Sequence, residues 1–140
     1  MRSWAEINLD NLRHNINILK TIAGDSMLLP AIKADAYGHG IAEVFNVLIS
    51  EGIKWVGVAT FNEAEKLRKL DKATNILVFG PVETEDMRKA IDMNIAFPLT
   101  SMDEIDFLNE NNLAPRVHLA VDTGMGRIGF SRNSLDEVKR

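Results

Sequence analysis

The chain has no cysteine. That rules out a disulfide scaffold and thiolate chemistry, and it agrees with a reducing cytoplasm as the expected location. It also lacks a basic excess: 16 lysines and arginines stand against 20 acids, for a net charge of −4. No basic stripe gathers for phosphate neutralisation, so nucleic acid is not an expected partner. No run is long and uncharged enough to span a bilayer, and Glu6 and Asp10 interrupt the stretch where a signal peptide needs its apolar core. Three histidines, His14, His39 and His118, share no ligand spacing, so no metal site is expected. No GxGxxG follows a strand pattern, and no P-loop lysine with its Ser/Thr is present. What remains is 140 residues, 46% hydrophobic and 26% charged, the make-up of a soluble domain with room for a sizeable core.

Short apolar strands alternate with helical patterns along nearly the whole length. Trp4–Leu9 reads as a short strand, and a helix follows from Asp10, with Leu12, Ile16, Leu19 and Ile22 at helical spacing and Gly24 closing it. Met27–Ile32 reads as an apolar strand running into Lys33, and Ile41–Glu51 as a helix stopped by Gly52. Trp55–Ala59 is the next strand, with Asn62 and Glu65 as a capping pair for a helix through Leu70. Asn75–Phe79 is a strand cut off by Gly80 and Pro81, and a helix follows from Thr84 to Met93. Ile95–Leu99 precedes a second capping box, Ser101 with Glu104, and a helix to about Asn111. Arg116–Val121 is the last strand, followed by a glycine-rich turn and a helix from about Ser134.

Strand–helix alternation with short loops implies parallel strands in a buried sheet. Five strands of barrel type, beginning at Met27, Trp55, Asn75, Ile95 and Arg116, are expected, whereas a closed TIM-type barrel needs eight on about 250 residues. The pattern stops at Lys139 and Arg140 inside a helical stretch, so the expected fold is α/β, a partial TIM-type (β/α)8 barrel in a truncated chain. A complete small open sheet of the doubly wound kind is the alternative. An arc of five strands leaves two unpaired edges, which predicts self-association.

Two segments carry the chemistry. In Ala31 to Gly40 (AIKADAYGHG), Lys33 ends an apolar strand, where lost hydration favours a nucleophilic amine able to condense with a carbonyl such as that of pyridoxal phosphate. Taken alone, Lys33 is better read as a strand-ending lysine whose amine reaches solvent. The loop after it shifts the balance, because Tyr37 offers a phenol to a phosphate oxygen and Gly38 and Gly40 let backbone approach a ligand. His39 is read as structural. In Asp122 to Arg127 (DTGMGR), just past another strand, glycines at 124, 126 and 129 surround one guanidinium. Its fork suits a substrate carboxylate or a phenolate oxygen. The plain alternative is an Asp122–Arg127 surface ion pair that steadies a turn.

On these residues the chain resembles the alanine racemases, pyridoxal-phosphate enzymes that interconvert L- and D-alanine. The resemblance runs from Trp4–Ile7 through Ala31–Gly40 to Val117–Gly129. It implies that Lys33 holds pyridoxal 5'-phosphate as an internal aldimine and acts as the base on one face of the substrate α-carbon. Tyr37 would bind the cofactor phosphate, and Arg127 would lie near the cofactor phenolate oxygen and the substrate carboxylate. Phe79 falls where the family usually has an aliphatic residue lining the cofactor pocket. The second base, a tyrosine from the partner subunit's C-terminal domain, and the arginine facing the ring nitrogen would lie beyond Arg140. The resemblance therefore implies a homodimeric enzyme acting on alanine, serving D-alanine supply for the cell wall, and a 140-residue piece that is inactive alone. It also assigns residues 1–9 to a strand of the C-terminal β-domain and 10–140 to the barrel. One position departs from the pattern: Ala120, two residues after His118, stands where many members carry a lysine, often carbamylated, that helps hold the arginine. A non-enzymatic pyridoxal-phosphate-binding homeostasis protein on a related barrel is the second reading.

Overall fold

In a computed structural model, residues 3–132, 134 and 138 are described. The helix expected from about Ser134 falls largely outside the described residues. The elements in order are α1 (Leu9–Ala23), α2 (Lys33–Gly38), α3 (Ile41–Ser50), β1 (Trp55–Val58), α4 (Phe61–Leu70), β2 (Asn75–Val78), α5 (Thr84–Asp92), β3 (Ile95–Leu99), α6 (Met102–Glu110) and β4 (Val117–Leu119). The four strands form one parallel sheet in the order β1-β2-β3-β4. Trp55 pairs with Asn75, Leu77 with Ala96, and Leu99 with Leu119. The architecture is the expected partial barrel.

The first of the five expected strands is reduced to a bridge. Ala31 faces Gly57, the Ile32 N–H donates to the Gly57 carbonyl at 2.8 Å, and the Gly57 N–H donates to the Pro30 carbonyl at 2.8 Å. Pro30 has no N–H of its own to give, which helps keep this pairing short. The arc thus runs from residues 30–32 to β4. The strand expected over Trp4–Leu9 is not seen: residues 3–8 pair with no strand among the described residues, and Leu9 already belongs to α1. Asn8 is why the helix starts there, since its side chain accepts the N–H groups of Asp10 and Asn11 at 2.9 and 3.0 Å.

The outward-facing residues of β1, β2 and β3 build the core between sheet and helices. Val56 and Val58, Ile76 and Val78, and Ile95 and Phe97 point outward against Phe45, Leu67, Met87 and Ala90 of the helix layer, and nearly all are fully buried. Each large side chain so buried contributes roughly 1.5–3 kcal/mol. The alternate residues, Trp55, Gly57, Leu77 and Phe79, face the concave side. There Arg116 stands over the Trp55 ring at 5.0 Å, and His118 meets its edge at 6.1 Å. The apolar stripe of α1 outruns the surface that covers it: Ile16 is buried, but Leu19 and Ile22 are 52% and 76% exposed.

The Ser101–Glu104 capping box forms as expected at α6. At α4 the expected pair is wrong. The box is Thr60 with Glu63, not Asn62 with Glu65, because the N-terminal turn begins directly at the end of β1, where Thr60 is extended (φ −128°, ψ 157°) and its hydroxyl accepts the Glu63 N–H at 3.3 Å.

Candidate active site

All strands run the same way, so every loop after a strand opens on one rim. Lys33 and Tyr37 follow residues 30–32, Phe79 directly follows β2, and Arg127 lies in the loop after β4. The structure therefore brings the four sequence-predicted residues to one rim, the carboxyl end of the arc where barrel enzymes place their sites. Lys33 is half-buried, Phe79 is half-buried, and Tyr37 and Arg127 are exposed.

The backbone that carries Lys33 and Tyr37 is unusual. Ala34, Asp35, Ala36 and Tyr37 all have positive φ, between 50° and 56°, so α2 winds left-handed over these residues. For L-residues other than glycine each such position costs about 1–2 kcal/mol, so the turn stores roughly 4–8 kcal/mol that surrounding contacts must offset. Those contacts are explicit. The Ala36 N–H donates to the Ile32 carbonyl at 3.0 Å, and the Gly40 N–H to the Asp35 carbonyl at 3.1 Å. The Asp35 carboxylate accepts the N–H of Ile41, the first residue of α3, at 2.8 Å. The His39 ring Nδ1 lies 2.8 Å from the Ala36 carbonyl, which supports its structural reading. The Glu63 carboxylate accepts the Ala34 N–H at 2.7 Å.

Glu63 escaped the sequence reading. Besides Ala34, it accepts the N–H groups of Ala59 and Thr60 at 2.9 and 3.2 Å. Its signal was present in the Thr60-x-x-Glu63 spacing, hidden by the overlapping Asn62-x-x-Glu65. Gly57 was also missed. A methyl group there would lie 1.9 Å from the Phe79 ring, so the absence of a side chain on β1 is what lets that ring lie across the concave face.

The loop after β4 is clamped at its base. Phe130 is buried, its N–H donates to the Ala120 carbonyl at 2.8 Å, and the Asp122 N–H donates to the Phe130 carbonyl at 2.9 Å. Gly129 (φ +108°) has no room for a Cβ, which would sit 2.8 Å from the Ala120 oxygen. The Asp122–Arg127 ion pair is not formed among the described residues. Asp122 instead accepts the N–H groups of Gly124 and Gly126 at 2.9 and 3.0 Å. The Gly126 and Gly124 N–H groups hold its carboxyl below the usual carboxylate range. Arg127 is thus presented on a loop whose shape Asp122 maintains. Ala120 contributes through its backbone carbonyl.

A groove of about 520 Å³ lies along the free edge of the arc, lined by Asn8, Leu12, Ile16, Pro30, Ile32 and His39. None of Lys33, Tyr37, Phe79 and Arg127 lines it. Among the described residues no helix is long and apolar enough to cross a membrane, and no cluster of His, Asp and Glu could hold a metal ion.

The model for the N-terminal domain of alanine racemase matches residues 7–140. The chain belongs to this family. It is 36% identical over 138 residues to the alanine racemase of Fusobacterium nucleatum, covering 99% of the chain and 39% of that protein. The crystal structure of alanine racemase from Corynebacterium glutamicum superposes with a TM-score of 0.88 at 34% identity, over 95% of this chain and 39% of that one. A histidine racemase from Leuconostoc mesenteroides also matches, with a TM-score of 0.79 at 30% identity, over 87% of this chain and 34% of that one. The alanine racemase N-terminal domain seen here thus spans about two fifths of the length of the curated relatives it matches.

Proposed function

We propose that this chain supplies the pyridoxal-phosphate-binding side of an alanine racemase, with Lys33, Tyr37, Phe79 and Arg127 as its working residues. The observation that carries the reading is the placement of all four residues in segments that directly follow strands of a parallel arc, on one rim. The residues fit the cofactor chemically. Lys33 offers the amine that condenses with an aldehyde. The Tyr37 hydroxyl donates to a phosphate oxygen, and the Arg127 fork pairs with a carboxylate or a phenolate oxygen. The Phe79 ring, seated over Gly57, supplies an apolar wall. When bound, the cofactor supplies an electron sink for the carbanion formed as the α-proton leaves.

Within that frame Lys33 takes and returns the α-proton on one face of the substrate. Racemisation needs a second base on the opposite face. By the family resemblance that base is a tyrosine, and Tyr37, the single tyrosine of the sequence, is assigned to the phosphate, so the opposite-face tyrosine comes from outside these 140 residues. By the same resemblance the active protein is a homodimer acting on alanine, and the segment ahead of α1, with Trp4 79% exposed, pairs with a further domain. The names of the matched relatives support this reading over the non-enzymatic carrier.

Titrating the full-length protein with pyridoxal phosphate should produce an absorbance near the edge of the visible that is lost in Lys33→Ala, together with D-alanine formation from L-alanine. A Lys33→Ala protein that keeps both the absorbance and the turnover would sink the assignment. The 140 residues by themselves are expected to form no D-alanine.

A further inference from the structure

We infer that Glu63 is a positioning residue for Lys33, acting through the left-handed turn rather than only as the cap of α4. The inference deepens the functional reading above and rests on it for the role of Lys33.

A capping-box glutamate bonds the N–H of its own N-cap residue, and Glu104 of α6 also takes the N–H of the residue before it, Thr100. Glu63 does the same with Thr60 and Ala59, but its carboxylate takes one further donor, Ala34, from a different loop. One oxygen accepts the Ala34 N–H at 2.7 Å, and the other accepts the Ala59 N–H at 2.9 Å and the Thr60 N–H at 3.2 Å. The two oxygens therefore bridge two neighbouring loops of the rim. Ala34 directly follows Lys33 and is the first residue of the strained run. An acceptor fixed on that N–H holds the peptide plane between Lys33 and Ala34, and so the point from which the lysine departs. Asp35 anchors the far end of the same turn on the first N–H of α3 at 2.8 Å. A run of residues in a disfavoured conformation persists only when it is held by its surroundings, and Glu63 is the side chain that holds its start from outside the turn.

The carboxylate geometry separates this role from capping. A glutamine has one acceptor oxygen, so Glu63→Gln must turn its NH2 group toward either the Ala34 or the Ala59 and Thr60 donors. Thr60→Val removes the hydroxyl that accepts the Glu63 N–H at 3.3 Å, weakening the cap of α4 without touching the bond to Ala34.

The test compares wild type, Glu63→Gln and Thr60→Val in the full-length protein. In the cofactor-free form, amide exchange over residues 33–38 should rise about tenfold in Glu63→Gln and stay near wild type in Thr60→Val. With pyridoxal phosphate added, Glu63→Gln should lower kcat about tenfold or more, with a smaller change in KM and a shifted Lys33-dependent absorbance, as a misplaced reactive group does. Glu63→Asp keeps both oxygens one methylene further back. It should fall between the two, and it carries the comparison if Glu63→Gln does not accumulate. Equal effects from Glu63→Gln and Thr60→Val would reduce Glu63 to a helix cap. Faster exchange with unchanged kcat and absorbance would overturn the link to Lys33. A wild type with no Lys33-dependent absorbance would instead defeat the functional reading, while the exchange arm still decides whether Glu63 holds the turn.

Discussion

Arg68 offers the sharpest test of how the amino ends of the strands are held. It lies in the last turn of α4 and is only 8% exposed. Its Nε donates to the Met93 carbonyl at 2.8 Å, one terminal nitrogen to Asp71 at 3.1 Å and Thr74 at 2.9 Å, and the other to Asn94 at 3.1 Å. Met93 and Asn94 lead into β3 and Asp71–Thr74 into β2, so one side chain ties two strand entrances to a helix end. Burial pushes the guanidinium pKa down, with Asp71 opposing and Arg116 adding to the shift, yet an arginine stays charged in any folded protein. Arg68→Met keeps the apolar stem and removes every donor. Four carbonyls then lose a charged partner at about 1 kcal/mol each after some regain water, so the expected loss is about 3–5 kcal/mol. Arg68→Lys, a point charge that cannot reach all four oxygens, should recover less than half of that. Urea unfolding reads the difference as a lower midpoint at unchanged slope. A loss below about 1 kcal/mol for Arg68→Met at constant slope would refute the bracing role.

Gly57→Ala places a methyl group 1.9 Å from the Phe79 ring. It should cost about 1–2 kcal/mol and displace the ring, and the same change made in a Phe79→Ala background should cost less than half as much; an undiminished cost would place the clash elsewhere. At Asp122 the folded pKa is depressed by the N–H groups of Gly126 and Gly124 below the ordinary value of 3.8. The support it gives the loop is therefore complete above that value and lost as pH falls through the folded pKa. Amide exchange across residues 122–130 should accelerate on the acid side in wild type and show no such step in Asp122→Asn; parallel profiles would remove Asp122 as the cause.

How much of this was legible depends on whether the cause is local. The alternation that predicts a parallel arc was readable because each strand is covered on its outer face, leaving Val56, Ile76, Ile95 and their neighbours as short apolar runs between caps and glycines. The Ser101 box was readable because both partners lie within one turn. At Thr60-Phe-Asn-Glu-Ala-Glu65 two capping spacings overlap, and local sequence does not choose between them; the donors of Ala34 and Ala59 do, by selecting Glu63. Trp4–Leu9 has an apolar pattern but no strand beside it among the described residues, so Asn8 starts a helix instead.

The sequence by itself determined the class of fold and the chemistry its side chains offer, because periodicity, helix caps and residue type act over a few positions. The left-handed run from Ala34 to Tyr37 was decided only in three dimensions. Nothing in Ala-Asp-Ala-Tyr favours positive φ strongly enough, and the conformation stands because Glu63, brought from 29 residues away, holds its start, beside the local bonds of Asp35 and the Ile32 carbonyl. Arg68 is the same case in reverse. Its sequence, in a charged helix end, reads as surface, and only the packing of that end against two loops turns it into a buried brace.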